Sequence, residues 1–258
     1  MRFTTTLAAL AVFLCALTAQ AAHRARLNET AEMSYDVRAG SPISVETFNG
    51  SIHVRGSDDA KVHVTVTKHV QAETDEEARE AMAALRVETS HDNGGLVLKA
   101  TDVHGDREIE GGISFDITTP RSVDLTLNTT NGSIDVSDIG GDAKLKTTNG
   151  QINVLRGSGS LDIETTNGGI RAELLDVTPN RPLRFLTTNG GVTLEIPSNL
   201  GADVVASTTN GTISSDLPIV ANSSDHRHLE GRINGGGSEL RVRTTNGTIS
   251  IRTSSAQR

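Results

Sequence analysis

The chain has 258 residues, with 24 Lys and Arg against 32 Asp and Glu, a net charge of −8, and only 2% aromatic residues. An acidic chain with so few rings lacks the basic face and the stacking platforms that nucleic-acid binding uses, so that class is set aside. The length suits one large domain or two small ones.

Arg2 is the only charge before residue 23, Leu7 to Leu17 is an unbroken apolar run, and Ala19-Gln20-Ala21 supplies small residues after it. These three parts make a secretory signal peptide over residues 1–21. The apolar run is too short to span a bilayer, which takes about 20 residues, and no later segment is longer, so no transmembrane segment is expected. Cleavage would remove Cys15, the only cysteine, so the mature chain has no disulfide to rely on. Its four aromatics would be Tyr35, Phe48, Phe115 and Phe185.

Residues 22–92 read as an irregular N-terminal part of a single domain that runs from 22 to 258. Lys61 to Val70 alternates polar and apolar residues with the period of a strand. Thr74-Asp75-Glu76-Glu77 is a capping-box pattern that opens a short helix near 75–85, with Ala78, Met82 and Leu85 on its apolar stripe. Such a helix would cover the open end of the array that begins at residue 93.

That array is a repeat. Thr-x-Asn-Gly occurs seven times, ending at Gly50, Gly132, Gly150, Gly168, Gly190, Gly211 and Gly247. The consensus is apolar-x-apolar-x-Thr-x-Asn-Gly-x-apolar-x-apolar, and weaker copies sit at Gly94, Gly111 and Gly231. The unit recurs about every 19 residues over 93–252. Each arm has the period of a half-buried strand, and Asn-Gly marks a turn because glycine accepts positive φ at little cost. Asp225 to Gly237 is polar and glycine-rich and reads as a loop, and residues 252–258 read as a frayed end.

Two architectures satisfy this pattern. In an antiparallel meander, Asn-Gly would close two-residue hairpins. In a parallel β-solenoid, each repeat would be one coil. The first Thr and the Asn of each motif share parity with the apolar positions, and an inward or corner Asn needs partners for its amide. Stacked coils would supply them as a structural ladder of Asn49, Asn131, Asn149, Asn167, Asn189, Asn210 and Asn246, of the kind formed by in-register strands. The expectation is therefore an all-β chain, a parallel β-solenoid (β-helix) of about nine coils, roughly 43 Å long at the spacing of neighbouring strands.

The signal peptide, the Val45-Glu46-Thr47-Phe48-Asn49-Gly50-Ser51-Ile52 strand pair, the 75–85 helix and the repeated Thr-Thr-Asn-Gly-x-Ile resemble the DUF4097-type adhesin family. The resemblance spans most of residues 40–252. It implies a bacterial β-solenoid related in pattern to the head domains of autotransporter adhesins, and it offers no catalytic motif to carry over.

The residues give no independent sign of chemistry. His53 and His63 alternate with apolar neighbours and face solvent; His226 and His228 share one polar loop, too few ligands for a metal centre. Asp135, Asp162, Glu164 and Glu195 fall on outward positions. No catalytic residue, metal or cofactor is expected. The reading is an exported, non-enzymatic protein of the periplasm, cell surface or extracellular space, binding a surface glycan or an envelope protein through flat faces. Rows such as Lys144, Lys146, Asp162, Glu164, Arg184, Arg241 and Arg243 would make the contacts. A carbohydrate-active β-helix enzyme and a purely structural envelope protein are the alternatives.

Overall fold

The computed structural model describes residues 24–91, 94–101, 110–175, 177 and 181–254. The expected signal peptide lies outside the described residues, as do Asn93 of one weak repeat copy and the last four residues of the expected frayed end.

The chain is all-β with one short helix. In order, the elements are β1 (Ala25–Asp36), β2 (Pro42–Glu46), β3 (Ile52–Ser57), β4 (Lys61–Ala72), α1 (Asp75–Ala84), β5 (Arg86–Ser90), β6 (Leu96–Thr101), β7 (Glu110–Pro120), β8 (Asp124–Asn131), β9 (Ile134–Ser137) and β10 (Ala143–Asn149). Next come β11 (Ile152–Gly157), β12 (Leu161–Asn167), β13 (Ile170–Leu174), β14 (Leu183–Asn189), β15 (Val192–Ile196), β16 (Ala202–Asn210), β17 (Ile213–Ser215), β18 (Ile219–Ser224), β19 (His228–Ile233), β20 (Ser238–Asn246) and β21 (Ile249–Thr253).

The two arms of a repeat enter different sheets. One sheet, here sheet A, has the order β1-β4-β7-β3-β9-β11-β13-β15-β21-β17; sheet B runs β18-β19-β16-β20-β14-β12-β10-β8-β2-β6-β5. Equivalent arms pair in parallel and in register, as when Leu145 meets Ile163 and Ile163 meets Phe185. Thr-x-Asn-Gly is thus the corner where the chain leaves one sheet for the other, and it closes no hairpin. Both sheets are mixed, because β1, β4, β5, β18 and β19 join antiparallel at the ends.

The sheets enclose one core. Alternation puts Val45, Leu127, Leu145, Ile163, Phe185 and Val242 inward from sheet B and Ile52, Ile134, Ile152, Ile170, Val192 and Ile249 inward from sheet A, all fully buried. Phe115 and Phe185 are buried, while Phe48 and Tyr35 pack at its margin. Burial of this apolar surface is the main stabilising term.

Among the described residues eight two-strand layers stack, beside the expected count of about nine. Gly94 has φ +82 and turns β5 into its antiparallel neighbour β6, while Gly111 and Gly231 sit inside β7 and β19. None of the three is a corner. The layers also leave chain order. The β2–β3 layer lies between β6–β7 and β8–β9, and the β20–β21 layer lies between β14–β15 and β16–β17. Residues 42–57, read from sequence as part of an irregular start, therefore stand inside the repeat array.

Helix α1 forms as its capping box requires: Thr74 Oγ1 accepts from Glu77 N–H, and the Glu77 carboxylate accepts from Thr74 N–H. Ala78, Ala81, Met82 and Leu85 are buried, and the helix packs against β4 and β1 at the first end of the stack. At the other end, the supposed loop 225–237 contains β19, which pairs with β16 and β18. The turn beyond β18 caps the stack: the His226 carbonyl accepts from Ile213 N–H, and the Arg227 carbonyl from Thr208 N–H. Residues 252–254, expected to fray, are held in the fold: β21 runs to Thr253 and Ser254 N–H donates to the Ile196 carbonyl.

Candidate functional site

The corner is built from three residues with separate tasks. The first Thr of every motif points inward and is buried, and its hydroxyl donates to a carbonyl one layer away. Thr129 reaches Gly50 at 3.0 Å, Thr147 reaches Gly132 at 3.0 Å, Thr165 reaches Gly150 at 3.0 Å and Thr187 reaches Gly168 at 2.8 Å. Thr244 and Thr208 repeat the bond on Gly190 and Gly247, and Thr47 uses Ile113. A buried hydroxyl must be paired, and here its pairing ties neighbouring layers together.

The Asn amides form one hydrogen-bonded line. Asn131 donates to Asn49, Asn149 to Asn131, Asn167 to Asn149, and Asn189 to Asn167, all at 2.7–2.8 Å. Asn246 then donates to Asn189 and Asn210 to Asn246, so the line follows the spatial order of the layers rather than the chain. Asn49 ends it on the Gly111 carbonyl. The line runs along the solvent side of the corner.

The glycine is present for room. No motif glycine has positive φ, contrary to the sequence expectation. A Cβ on Gly132, Gly150, Gly168 or Gly190 would stand 1.8–2.1 Å from the carbonyl oxygen of the glycine in the next layer. Only a residue without a side chain lets the corners stack.

The opposite corner carries an ion-pair column. Arg156 donates twice to Asp138, at 2.7 and 2.6 Å, and Arg121 bridges Asp138 and Asp58. The hydrogen bonds from Arg156, then the charges of Arg156 and Arg121, hold the Asp138 carboxyl below the usual carboxylate range, against its partial burial.

Two outward surfaces have the make-up of binding sites. The first is a depression of about 520 Å³ on the outer face of sheet A, over β4, β7, β3, β9 and β11. Its central row is Thr65, Asp116, His53, Asp135 and Asn153, each in register with the next. His53 lies 3.3 Å from Asp116 and 3.5 Å from Asp135; Asn153 donates to Asp135 at 2.6 Å and Ser133 does so at 3.1 Å. Beside it, His63 sits 3.0 Å from both Ser34 Oγ and Asp59 Oδ2. The His63 ring and the Lys61 N–H hold the Asp59 carboxyl below its ordinary value. Arg55, Thr118, Ser137 and the exposed Leu155 also line it, with the buried Val54, Ile117 and Val136. The array offers donors and acceptors in alternation around one exposed apolar side chain. Among the described residues, no group of three or more His, Cys, Asp or Glu converges as metal ligands do.

Sequence reasoning placed His53 and His63 on outward strand positions but did not bring them together. A signal existed: His53, Asp135 and Asn153 each stand three residues after a motif glycine, so aligned copies share a row. Asp116 and His63 carry no such mark, because β7 and β4 join through non-repeated, partly antiparallel pairing.

The second surface is the outer face of sheet B. Lys144 is in register with Asp162, Asp162 with Arg184, and Arg184 with Arg241; Lys146 is in register with Glu164, and Leu186 with Arg243. Lys146 pairs with Glu164 at 3.3 Å, and Arg184 with Asp162 at 2.5 Å.

Parallel in-register layers, seven of them tied by a Thr, an Asn and a Gly at one corner, define the class: a two-sheet, all-β repeat protein. The sequence model of the Toastrack DUF4097 family matches residues 110–252, more than half of the chain, and the protein belongs to that family. No curated protein matches the sequence. Among solved structures, the chain is similar to a candidate cell-adhesion protein of Clostridium sporogenes, at 10% identity and a TM-score of 0.44, over 87% of this chain and 100% of that one. It is also similar to a candidate adhesin of Parabacteroides merdae, at 9% identity and a TM-score of 0.35, over 86% and 96%. A third is a candidate lipid-binding protein of Parabacteroides distasonis, at 11% identity and a TM-score of 0.33, over 87% and 96%. Among the described residues, no helix is long and apolar enough to cross a membrane.

Proposed function

We propose that this is an exported, non-catalytic, adhesin-like β-solenoid with two strands per coil that binds a surface glycan or an envelope protein. The Asn line serves as its structural ladder. The observation that carries the reading is the depression on sheet A. Its Asp116–His53–Asp135–Asn153 row presents hydroxyl-binding groups at strand spacing, about 4.8 Å. Leu155 offers the apolar face of a sugar ring a contact. Polar groups that fix orientation around a small apolar surface are what a ligand site needs.

The test is a binding screen of the mature chain against surface glycans, repeated with Asp135→Ala and Asn153→Ala. Loss of binding in both variants, with unchanged thermal unfolding, supports the reading. A ligand indifferent to both moves the site elsewhere. The alternative of a carbohydrate-active enzyme rests on Asp116 and Asp135 flanking His53; products released from a bound glycan would favour it. Export is tested by the mature N-terminus, expected after Ala21.

A further inference from the structure

We infer that the outer face of sheet B carries a second binding surface, separate from the depression, for an extended anionic polymer lying along the stack, of the class of acidic polysaccharides. The first observation is charge. On β10, β12, β14 and β20 the outward side chains include Lys144, Lys146, Arg184, Arg241 and Arg243 against Asp162, Glu164 and Glu239. Five cations face three carboxylates, in a chain whose net charge is −8. A polyanion is repelled by the chain as a whole, so its attraction has to be local to this strip.

The second observation is which charges are already matched. Arg184 is shared by Asp162 and Glu164, Lys146 pairs with Glu164, and Arg241 pairs with Glu239. Lys144 and Arg243 have no ion pair or hydrogen bond among the described residues. They stand at the two sides of the strip, on β10 and β20, with β12 and β14 between them. An anionic ligand would complete both, and arginine offers a forked donor set suited to a carboxylate.

The third observation is a groove beside Arg243. It holds about 270 Å³ and is lined by Glu164, Leu186 and Arg243 on one side and by Thr166, Thr188 and Thr245 on the other. These threonines are the second Thr of the motifs in successive layers, β12, β14 and β20, so they form a line parallel to the stack at about 4.8 Å per layer. Their hydroxyls make no hydrogen bond among the described residues. The neighbouring Asn amides use one donor and one acceptor each in their own line, out of two of each. The six layers from β8–β9 to β16–β17 therefore repeat the same unused hydroxyl and amide valences at a fixed interval. A ligand that repeats its own hydroxyls along one axis can use several layers at once, whereas a compact ligand can use one or two. The apolar Leu186 between Glu164 and Arg243 gives a sugar ring a face to rest on.

The experiment measures binding of polygalacturonate oligomers of increasing length to the full mature chain by fluorescence anisotropy, with dextran oligomers as the neutral probe. Polygalacturonate is expected to bind more tightly with each added unit up to the length of the strip, and to weaken steeply as salt is raised. Arg243→Glu should weaken binding at least tenfold. Arg252→Glu, which makes the same charge change on the outer face of sheet A away from the depression, should leave it within twofold. Thr166→Val with Thr188→Val should weaken binding and flatten its length dependence while leaving the salt dependence unchanged. Several results overturn the inference: no binding of polygalacturonate even at low salt, equal binding of dextran, equal losses from Arg252→Glu and Arg243→Glu, or a Thr pair without effect. Thermal unfolding of each variant separates a lost site from a lost fold. Loss of the depression's ligand in Asp135→Ala would leave this surface untouched, so the two readings fail independently.

Discussion

Replacing Gly168 by alanine tests the stacking of the corners. The new Cβ would lie 1.8 Å from the Gly150 carbonyl oxygen and 2.5 Å from its carbon, both backbone atoms that cannot swing aside. Ordinary contact begins near 3.4 Å, so β10 and β12 would have to part locally by about 1.6 Å. The Gly150 N–H, which donates to the Asn167 carbonyl at 3.1 Å, would be pulled off its acceptor. Overpacking typically costs about 1–3 kcal/mol and a lost net hydrogen bond about 1 kcal/mol, so roughly 3 kcal/mol is expected. For a chain of this size each kcal/mol moves the midpoint by roughly 2–4 °C, which gives a fall of roughly 6–12 °C in thermal unfolding followed by circular dichroism. Gly140→Ala is the control: its Cβ would meet Arg121 and Ser158 atoms at 3.5 Å, an ordinary contact, and little change is expected. Gly168→Asn separates the two explanations of the motif. Asparagine tolerates positive φ, so it would rescue the corner if backbone conformation were the constraint; if room is the constraint, it is at least as damaging as alanine. Equal midpoints for Gly168→Ala and Gly140→Ala, or rescue by asparagine, would refute the reasoning.

The same corners support three further expected outcomes. Thr165→Val keeps the shape but removes the bond to the Gly150 carbonyl, and should cost about 1 kcal/mol in denaturant unfolding, while Thr166→Val on the exposed side should cost almost nothing. Asn149→Asp should destabilise more than Asn149→Ala in the same assay, because a carboxylate oxygen would then face the Asn131 oxygen that now accepts the amide proton at 2.7 Å. Asp138 has its carboxyl pKa depressed by Arg156, so it contributes stability above the ordinary carboxylate range, near pH 4, and that stability fades as pH falls through its folded-state value. Asp138→Asn, which suits the positive φ of 60° at that residue, should therefore flatten the loss of stability as pH falls below about 4; an unchanged acid profile would show the column to be idle.

Much of the local structure could be read from the sequence because the motif is strict about parity. Thr165 falls inward and Thr166 outward in every copy of the pattern, and that alternation separates core from surface without knowledge of the fold. The capping box at Thr74 and Glu77 was equally local and therefore legible. The order of the layers was not. Copies with nearly the same apolar and corner residues can stack on one another in several orders, and nothing in β20–β21 marks it as the neighbour of β14–β15 rather than of the end. Alternation alone also could not distinguish a corner glycine from one inside a strand, which is why Gly111 and Gly231 read as further copies of the corner. Asp225 to Gly237 looked like a loop because its polar residues hide Leu229, Gly231 and Ile233, the buried face of β19. The depression depended on His53, Asp116 and Asp135 meeting across three strands distant in sequence, a long-range pairing that no single repeat encodes.

The placement of β20–β21 has a consequence for how the molecule is made. Synthesis delivers the chain N-terminus first, yet the layer built from residues 238–253 belongs beneath the layer built from residues 202–215. A growing chain therefore cannot finish by laying each new layer on the last. The slot between β14–β15 and β16–β17 stays open until residues 238–253 arrive, and β16, β17 and the hairpin of β18 and β19 have to settle around them. A chain cut after residue 237 would lose no terminal layer; it would keep its cap and carry a gap just below it, edged by two unpaired strands on each side of the core. Those edges are shaped for one segment only, and the same segment of another molecule would fit them as well as its own, which makes such a fragment a candidate for strand exchange between copies.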